Sequence, residues 1–592
     1  MTTAKDYLVY DVEVFAKNSM VVFKDLEGKT VKVFSSSLDG LYDPYIKDGI
    51  VDTEGYKNLE DFIKDKILIG YNNYHYDDYI LYAMILVGRG QFEHDVIKAW
   101  NDSIIGNGSL VNMRKIDNRT IDCFQQVDIS KPSLKKIEGN MGKSIIESGV
   151  NFNIDRELTS KENFETLKYC EYDVLSTLEV YKMRHEYFDS KKSVVDMLED
   201  DDLKEKAITW NTTSIVGQLL KPKYRLRQGM HVDEKYLSYV DSEVLEMWQE
   251  LSMAYGDFNF KKKKVVREEF GNVIEFGWGG LHGAPKGFVK AQNIKLMDVN
   301  SMYPNILINL DGLQDKTTEY KRILDYRLKL KAEGKKKEQA PYKLILNSTY
   351  GLLNNEYSQL NNPYLAYSIC INGQIAVYEL AKRLAHVGAR VLNINTDGVA
   401  YTIDNDYDMR IKEDWEKEFN LTLGVDRFKT WIQKDVNNYI AVTDTGKIKV
   451  KGGDVNKYDE NRYFANNDIR ITHIALVDKL VYGKSVAETI IENLDNPLLY
   501  QYILQAGSTY KGVVMSNHPD KLLNTKINRI FACKDGIEIL KKRQDDGLVK
   551  FADAPSQMYL YNGDLSEFKD FKRIVDKQWY VDLVNKNLKR WE

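Results

Sequence analysis

Near the N-terminus the run YLVYDVEVF alternates apolar and polar positions with the period of a β-strand, which puts Asp11 and Glu13 on one face. A second apolar run, ILIGYNNYHYDDYIL, contains Asn72, Tyr76 and Asp77 in the pattern N-x-x-x-Y-D. In LKYCEYDVLSTLEVY the period lengthens to that of a helix, so Tyr169 and Asp173, four positions apart, project together. Further on, NIKLMDVNSMYPNI reads as a strand that stops at Asp298 and turns at Pro304. The helical run YKLILNSTYGLLNN aligns Lys343, Asn347 and Tyr350 on a stripe too polar for a core, suited to gripping something polar and flat. A long helix follows in NPYLAYSICINGQIAVYELAKRLAHVG and stops at Gly388. RVLNINTDGVAYTID then reads as a hairpin of strands 391–395 and 399–403 whose connector contains Asp397-Gly398.

Composition narrows the class. A chain of 592 residues implies three to five folding units. No stretch reaches the roughly 18 apolar residues of a membrane span, and the N-terminus lacks the apolar core of a signal peptide, so a cytoplasmic location is expected. Cys123, Cys170, Cys370 and Cys533 lie far apart, which argues against both disulfides and a zinc site. The net charge of −5 permits a local basic channel, with Lys261 to Lys264 and Lys335 to Lys337 as candidate pieces, although each run alone also fits a solvated face.

Each acidic motif taken singly fits a turn or a cap. Together, four acids and a tyrosine in the order DxE, NxxxYD, YxxxD are what two divalent ions and an attacking water require. This order resembles the proofreading exonuclease domain of DNA polymerases, an RNase H-like fold. The resemblance implies that Asp11, Glu13, Asp77 and Asp173 hold two Mg²⁺ ions, that Tyr169 orients the attacking water, and that Asn72 contacts single-stranded DNA. Ser133 to Lys136 opens a helix that also fits the family, with Lys135 or Lys136 available to a phosphate or to solvent.

The later motifs, DxxSxYP at Asp298 to Pro304, KxxxNSxYG from Lys343 to Gly351, and TDG at Asp397, resemble motifs A, B and C of family B DNA polymerases, particularly the small phage-encoded members. The implied fold is α/β and α+β multidomain: an exonuclease domain followed by a palm, fingers and thumb. Asp298 and Asp397, with the Val299 backbone, would hold two Mg²⁺ ions, for which Mn²⁺ can substitute. The backbone through Ser301 and Met302 would cradle the triphosphate, and Tyr303 would exclude a 2′-hydroxyl. Arg327, Lys331 and Lys343 would meet the triphosphate, Asn347 the incoming nucleotide, and Tyr350 and Gly351 the nascent base pair. Gly279 and Gly280 in EFGWGGLHGA resemble a linker motif that approaches the template backbone. Tyr439, Lys449 and Lys451 are the expected primer-strand contacts.

Two positions depart from the family pattern. Asn395 replaces the first Asp of DTDS, and Asn437 stands where a Lys is expected before Tyr439. The gaps from Asp298 to Lys343 and from Gly351 to Asp397, 45 and 46 positions, leave no room for the insertions of protein-primed members. Expected boundaries are an exonuclease domain at 1–188, linker and first palm segment at 189–305, fingers at 306–356, second palm segment at 357–450 and thumb at 451–592, with the charged DMLEDDDLKEK as an exposed connector. The implied activity is DNA-directed DNA synthesis with 3′-5′ proofreading in DNA replication, viral in setting and so in the host cytoplasm. Its partners would be primer-template DNA, deoxynucleoside triphosphates and replication accessory proteins, around a monomer. The alternatives are an exonuclease with an impaired polymerase half and a non-catalytic DNA-binding replication factor.

Overall fold

The computed structural model describes residues 6–41, 45–108, 113–124, 132–152, 154–232, 234–253, 263–458 and 469–591. The chain is mixed α/β and multidomain, and it divides into two compact units. Met1–Asn211 and Leu494–Trp579 belong to the first, and Thr212–Asn461, Arg470–Asn493 and Tyr580–Glu592 to the second. No helix among the described residues is long and apolar enough to cross a membrane, and all four cysteines are buried free thiols.

In the first unit, β1 (Tyr7–Val14), β2 (Ser19–Lys24), β3 (Thr30–Ser35), β4 (Ile67–Gly70) and β5 (Arg119–Asp122) form a sheet in the order β3-β2-β1-β4-β5. β1 runs antiparallel to β2 and parallel to β4. The strand alternation seen in the sequence becomes two cores. Leu8, Tyr10, Val12 and Val14 pack with Ile80, Leu81 and Met84 of the helix Asp77–Gly88. Val9 faces the other way, toward Leu167, Cys170 and Val174 of the helix Ser160–Met183, so Asp11 and Glu13 continue the row that this helix covers. A capping box fixes where the helix begins: Thr159 accepts from the Glu162 N–H while Glu162 accepts from the Thr159 N–H.

The acidic stretch expected as a connector is instead helical. It ends the helix His185–Asp196 and forms the helix Asp201–Ala207, because Asp200 caps the Leu203 N–H at 3.1 Å and Asp201 pairs with Lys204 at 2.7 Å.

The second unit is built on an antiparallel sheet of β6 (Val265–Glu269), β7 (Asn272–Phe276), β8 (His282–Ala284), β9 (Val289–Val299), β10 (Arg390–Asn395), β11 (Gly398–Thr402), β12 (Leu423–Asp435), β13 (Asn438–Val442) and β14 (Ile448–Lys451). Their order, β14-β13-β12-β9-β11-β10-β8-β7-β6, puts β9 between β11 and β12. One face is sealed by Ile294, Leu392, Ala400, Phe428 and Trp431. The helix Pro363–His386 is buried over most of its circumference; Asn362 caps it and its Gln374 side chain bonds the carbonyls of Gly277 and Gly279. It ends one residue before Val387-Gly388, close to the expected stop.

The stretch 451–592, read as one thumb, is shared by the two units. Its part in the first unit forms two small sheets, from β15 (Tyr502–Gln505), β18 (Ile527–Ile537) and β21 (Met558–Leu560), and from β16 (Tyr510–Met515), β17 (His518–Leu522), β19 (Ile539–Arg543) and β20 (Leu548–Lys550). Fully buried Arg529 fastens this part to the helix Leu134–Asn140 and the loop after it. It donates to the carbonyls of Gly139 (3.1 Å), Lys143 (2.6 Å) and Gly563 (2.6 Å) and to Gln501 Oε1 (2.8 Å). Sequence order could not show this attachment, since the partners lie nearly four hundred residues apart.

Candidate active sites

In the first unit, β1 and the helix Ser160–Met183 bring donor atoms of Asp11, Glu13 and Cys170 within 4.8 Å of one another. Asp77 joins them from the start of its helix and Asp173 from one turn beyond Tyr169. Burial and the Asp173 charge push the Asp11 carboxyl up to about 8. Burial and then Asp11 likewise raise Glu13 and Asp77. Carboxyls crowded in this way hold protons until a cation takes their place, and their hard oxygen donors suit Mg²⁺. The four sequence-predicted acids are therefore brought together.

Lys135, first residue but one of the helix Leu134–Asn140, is not a surface lysine. It is buried, ion-paired with Asp173, 3.5 Å from Glu138 and 4.8 Å above the Tyr169 ring. Burial and the charges of Asp173, Glu13, Glu147 and Asp11 raise the Tyr169 hydroxyl well above its ordinary range, which places it beside the acidic cluster. Asn72 adopts a left-handed backbone (φ 65°), and its N–H is held by buried Asp122 at 2.8 Å.

In the second unit, Asp298, the last residue but one of β9, lies between two glycines: Gly398 is its cross-strand partner on β11 and Gly424 on β12. The hairpin differs from the expected one by one position. Its turn is Thr396-Asp397, Thr396 takes the left-handed conformation (φ 37°), and Gly398 already lies in β11. A Cβ on Gly398 would lie 3.0 Å from Asp298 Oδ1, so this glycine makes room for a carboxylate rather than for a turn. The Val299 N–H donates to the Asp397 carbonyl at 2.7 Å, locking the turn beside the end of β9. Burial and Asp397 push the Asp298 carboxyl up to about 6, and burial raises Asp397.

Around this pair, Ser301 is left-handed (φ 49°) and accepts a hydrogen bond from Arg327 at 3.1 Å. Met302 and Tyr303 begin the helix Met302–Asn309. Tyr303 meets Tyr350 with ring centroids 4.7 Å apart, joining the DxxSxYP and KxxxNSxYG segments. On the helix Lys336–Leu353, Lys343 and Asn347 are exposed one turn apart, and Gly351 faces open space. Lys331 on the helix Thr317–Ala332 is near enough to draw Asp298 downward. Tyr439 stacks on Trp431 at 4.2 Å, and burial, Asp298 and Asp397 push its hydroxyl up to about 12. Lys451 is the cross-strand partner of Tyr439 and draws both carboxyls down, whereas Lys449 pairs with Asp426 at 2.9 Å. Gly280 is pressed against Thr396, where a Cβ would come within 2.6 Å, while Gly279 is open. Of the lysine runs, Lys261 and Lys262 lie outside the described residues, Lys263 and Lys264 pair with Glu250 and Glu275, and Lys335 pairs with Glu333.

No family model and no curated protein matches the chain. Among solved structures it is similar to the family B DNA polymerase from the hyperthermophilic archaeon Pyrobaculum calidifontis. Identity is 13%, the match covers 99% of this chain and 77% of that one, and the TM-score is 0.43.

Residues outside the motifs complete both sites. Cys170 and Glu147 join the first, and Asp426, Gly424 and Cys370 the second. Cys170 directly follows Tyr169, a signal visible in the sequence. The others reach their site through strand pairing or helix packing and left no local trace.

Proposed function

We propose that the chain is a template-directed DNA polymerase of the small phage type, with a 3′-5′ proofreading exonuclease site in its first unit and a nucleotidyl-transfer site in its second. The observation that carries this reading is the setting of Asp298 and Asp397: two adjacent carboxyls at the end of a sheet, given room by Gly398, with Tyr303, Tyr350, Tyr439 and Lys451 around them. The separate cluster of Asp11, Glu13, Asp77 and Asp173 supports the second activity.

Asp298, Asp397 and the Val299 carbonyl would hold Mg²⁺ or Mn²⁺ at one site, and Asp11, Glu13, Asp77 and Asp173 at the other. The bound ions supply Lewis-acid activation of the attacking oxygen and neutralise the phosphate charge. The chain's own groups do the remaining work. Arg327, Lys331 and Lys343 bind the triphosphate; Tyr303 closes the space a 2′-hydroxyl would need; Tyr439, Lys451 and Lys449 hold the primer strand. In the first unit Tyr169 orients the attacking water, and the Lys135 charge offsets part of the burial that raises Asp173.

A primer-extension assay tests the reading, using a 5′-labelled primer on a longer template with Mg²⁺, with and without deoxynucleotides. Elongation with nucleotides and shortening without them is the expected result; Asp397→Ala should abolish elongation alone and Asp77→Ala shortening alone. Shortening in both lanes would favour the exonuclease with an impaired polymerase half. No change despite DNA binding would favour the non-catalytic factor.

A further inference from the structure

Cys370 lies in the helix Pro363–His386, is 2% exposed, and belongs to none of the polymerase motifs. Its sulfur is 3.0 Å from the Tyr350 hydroxyl and 3.8 Å from the Tyr303 hydroxyl. One turn further along, Gly373 leaves space that Met302 enters, since a Cβ there would lie 3.0 Å from Met302 Cε. One face of this helix therefore sets the floor beneath Met302 and Tyr303.

A tyrosine that excludes a ribose must keep its ring at a fixed height, because a small tilt admits the extra oxygen. The ring contact with Tyr350 leaves rotation about the Tyr303 side chain partly free; a partner for the hydroxyl removes that freedom. A thiol suits this position, being a weak donor and acceptor large enough to reach two hydroxyls from one small side chain.

We propose that Cys370 is a positioning residue for sugar discrimination, its thiol bridging the hydroxyls of Tyr303 and Tyr350 and so holding the Tyr303 ring where deoxyribose fits and ribose does not. The inference rests on the polymerase reading.

The test is single-nucleotide incorporation with deoxy- and ribonucleotides by wild type, Cys370→Ala, Cys370→Ser, Tyr303→Ala and the Tyr303→Ala/Cys370→Ala double variant, with melting temperature and excision rate as controls for folding. Cys370→Ala should lower the ratio of kcat/KM for deoxy- over ribonucleotide about three- to tenfold, the loss of one neutral hydrogen bond, chiefly through KM. Cys370→Ser should fall between, and it carries the test if the alanine variant melts early, because its shorter C–O bond draws the oxygen back from both hydroxyls. In the Tyr303→Ala background the Cys370 change should have no further effect. An unchanged ratio in Cys370→Ala, or an effect that persists without Tyr303, overturns the proposal. A wild-type protein that adds no nucleotide overturns the polymerase reading itself, and the proposal with it.

Discussion

Both cross-strand neighbours of Asp298 are glycines, but only one of them is needed for its side chain. A Cβ built on Gly398 lies 3.0 Å from Asp298 Oδ1 and 3.1 Å from the Met297 carbonyl oxygen. Carbon–oxygen contacts ordinarily sit at about 3.3–3.6 Å, so both oxygens would have to retreat by roughly 0.3–0.5 Å. The Met297 carbonyl is part of β9 and resists; the Asp298 carboxylate is the part that yields. Gly398→Ala should therefore cost about 1–3 kcal/mol in stability, as overpacking does, and displace one of the two central carboxylates. Since a misplacement near 1 Å costs about a hundredfold in rate, a shift of this size should lower kcat for nucleotide addition about tenfold or somewhat more, with KM nearly unchanged. On Gly424 the added Cβ would meet the Asp298 carbonyl oxygen at 3.7 Å, an ordinary contact, so Gly424→Ala should stay within about threefold of wild type. Single-nucleotide incorporation under single-turnover conditions measures both, and the excision proposed for the first unit provides the internal standard. Full activity in Gly398→Ala, or equal damage from the two substitutions, would refute the steric argument.

Arg529→Met removes four hydrogen bonds to buried acceptors and should destabilise the first unit by at least about 3 kcal/mol, read from urea unfolding followed by the excision signal. Lys191 is 2% exposed, and burial lowers its ammonium from 10.5 to about 8. The folded state binds that proton less tightly, so the penalty is complete below pH 8 and fades as pH rises to 10.5. Lys191→Met should then stabilise the protein by up to about 3 kcal/mol at pH 7, a gain that thermal melts should show disappearing toward pH 10.5. The Asn395 amide donates to the Val436 carbonyl at 3.0 Å and to Asn437 Oδ1 at 3.4 Å. Asn395→Asp should lower stability by about 1–3 kcal/mol, by setting a carboxylate against two acceptors, without accelerating nucleotide addition; faster extension would show that an added charge here matters more than the turn.

The sequence by itself determined the acids and their local geometry. Asp11 and Glu13 share a strand face, Tyr169 and Asp173 a helix face, and Lys343 and Asn347 a helical stripe, because backbone periodicity alone sets those relations. It also marked the hairpin that carries Asp397, though one position away from its actual turn: the Asp-Gly pair signals a left-handed glycine, while the packing of Asp298 claims Gly398 for the strand and leaves Thr396 to take the strained turn. Only the tertiary structure decided that Lys135 is buried against Asp173, that Cys370 bridges two tyrosines from different motifs, and that Leu494–Trp579 belongs with Met1–Asn211. Each of these depends on which elements meet in space. That choice is made by burial and hydrogen bonding summed over the whole unit, and a lysine, a thiol or an arginine reads the same in a local window whether it ends in a core or in water.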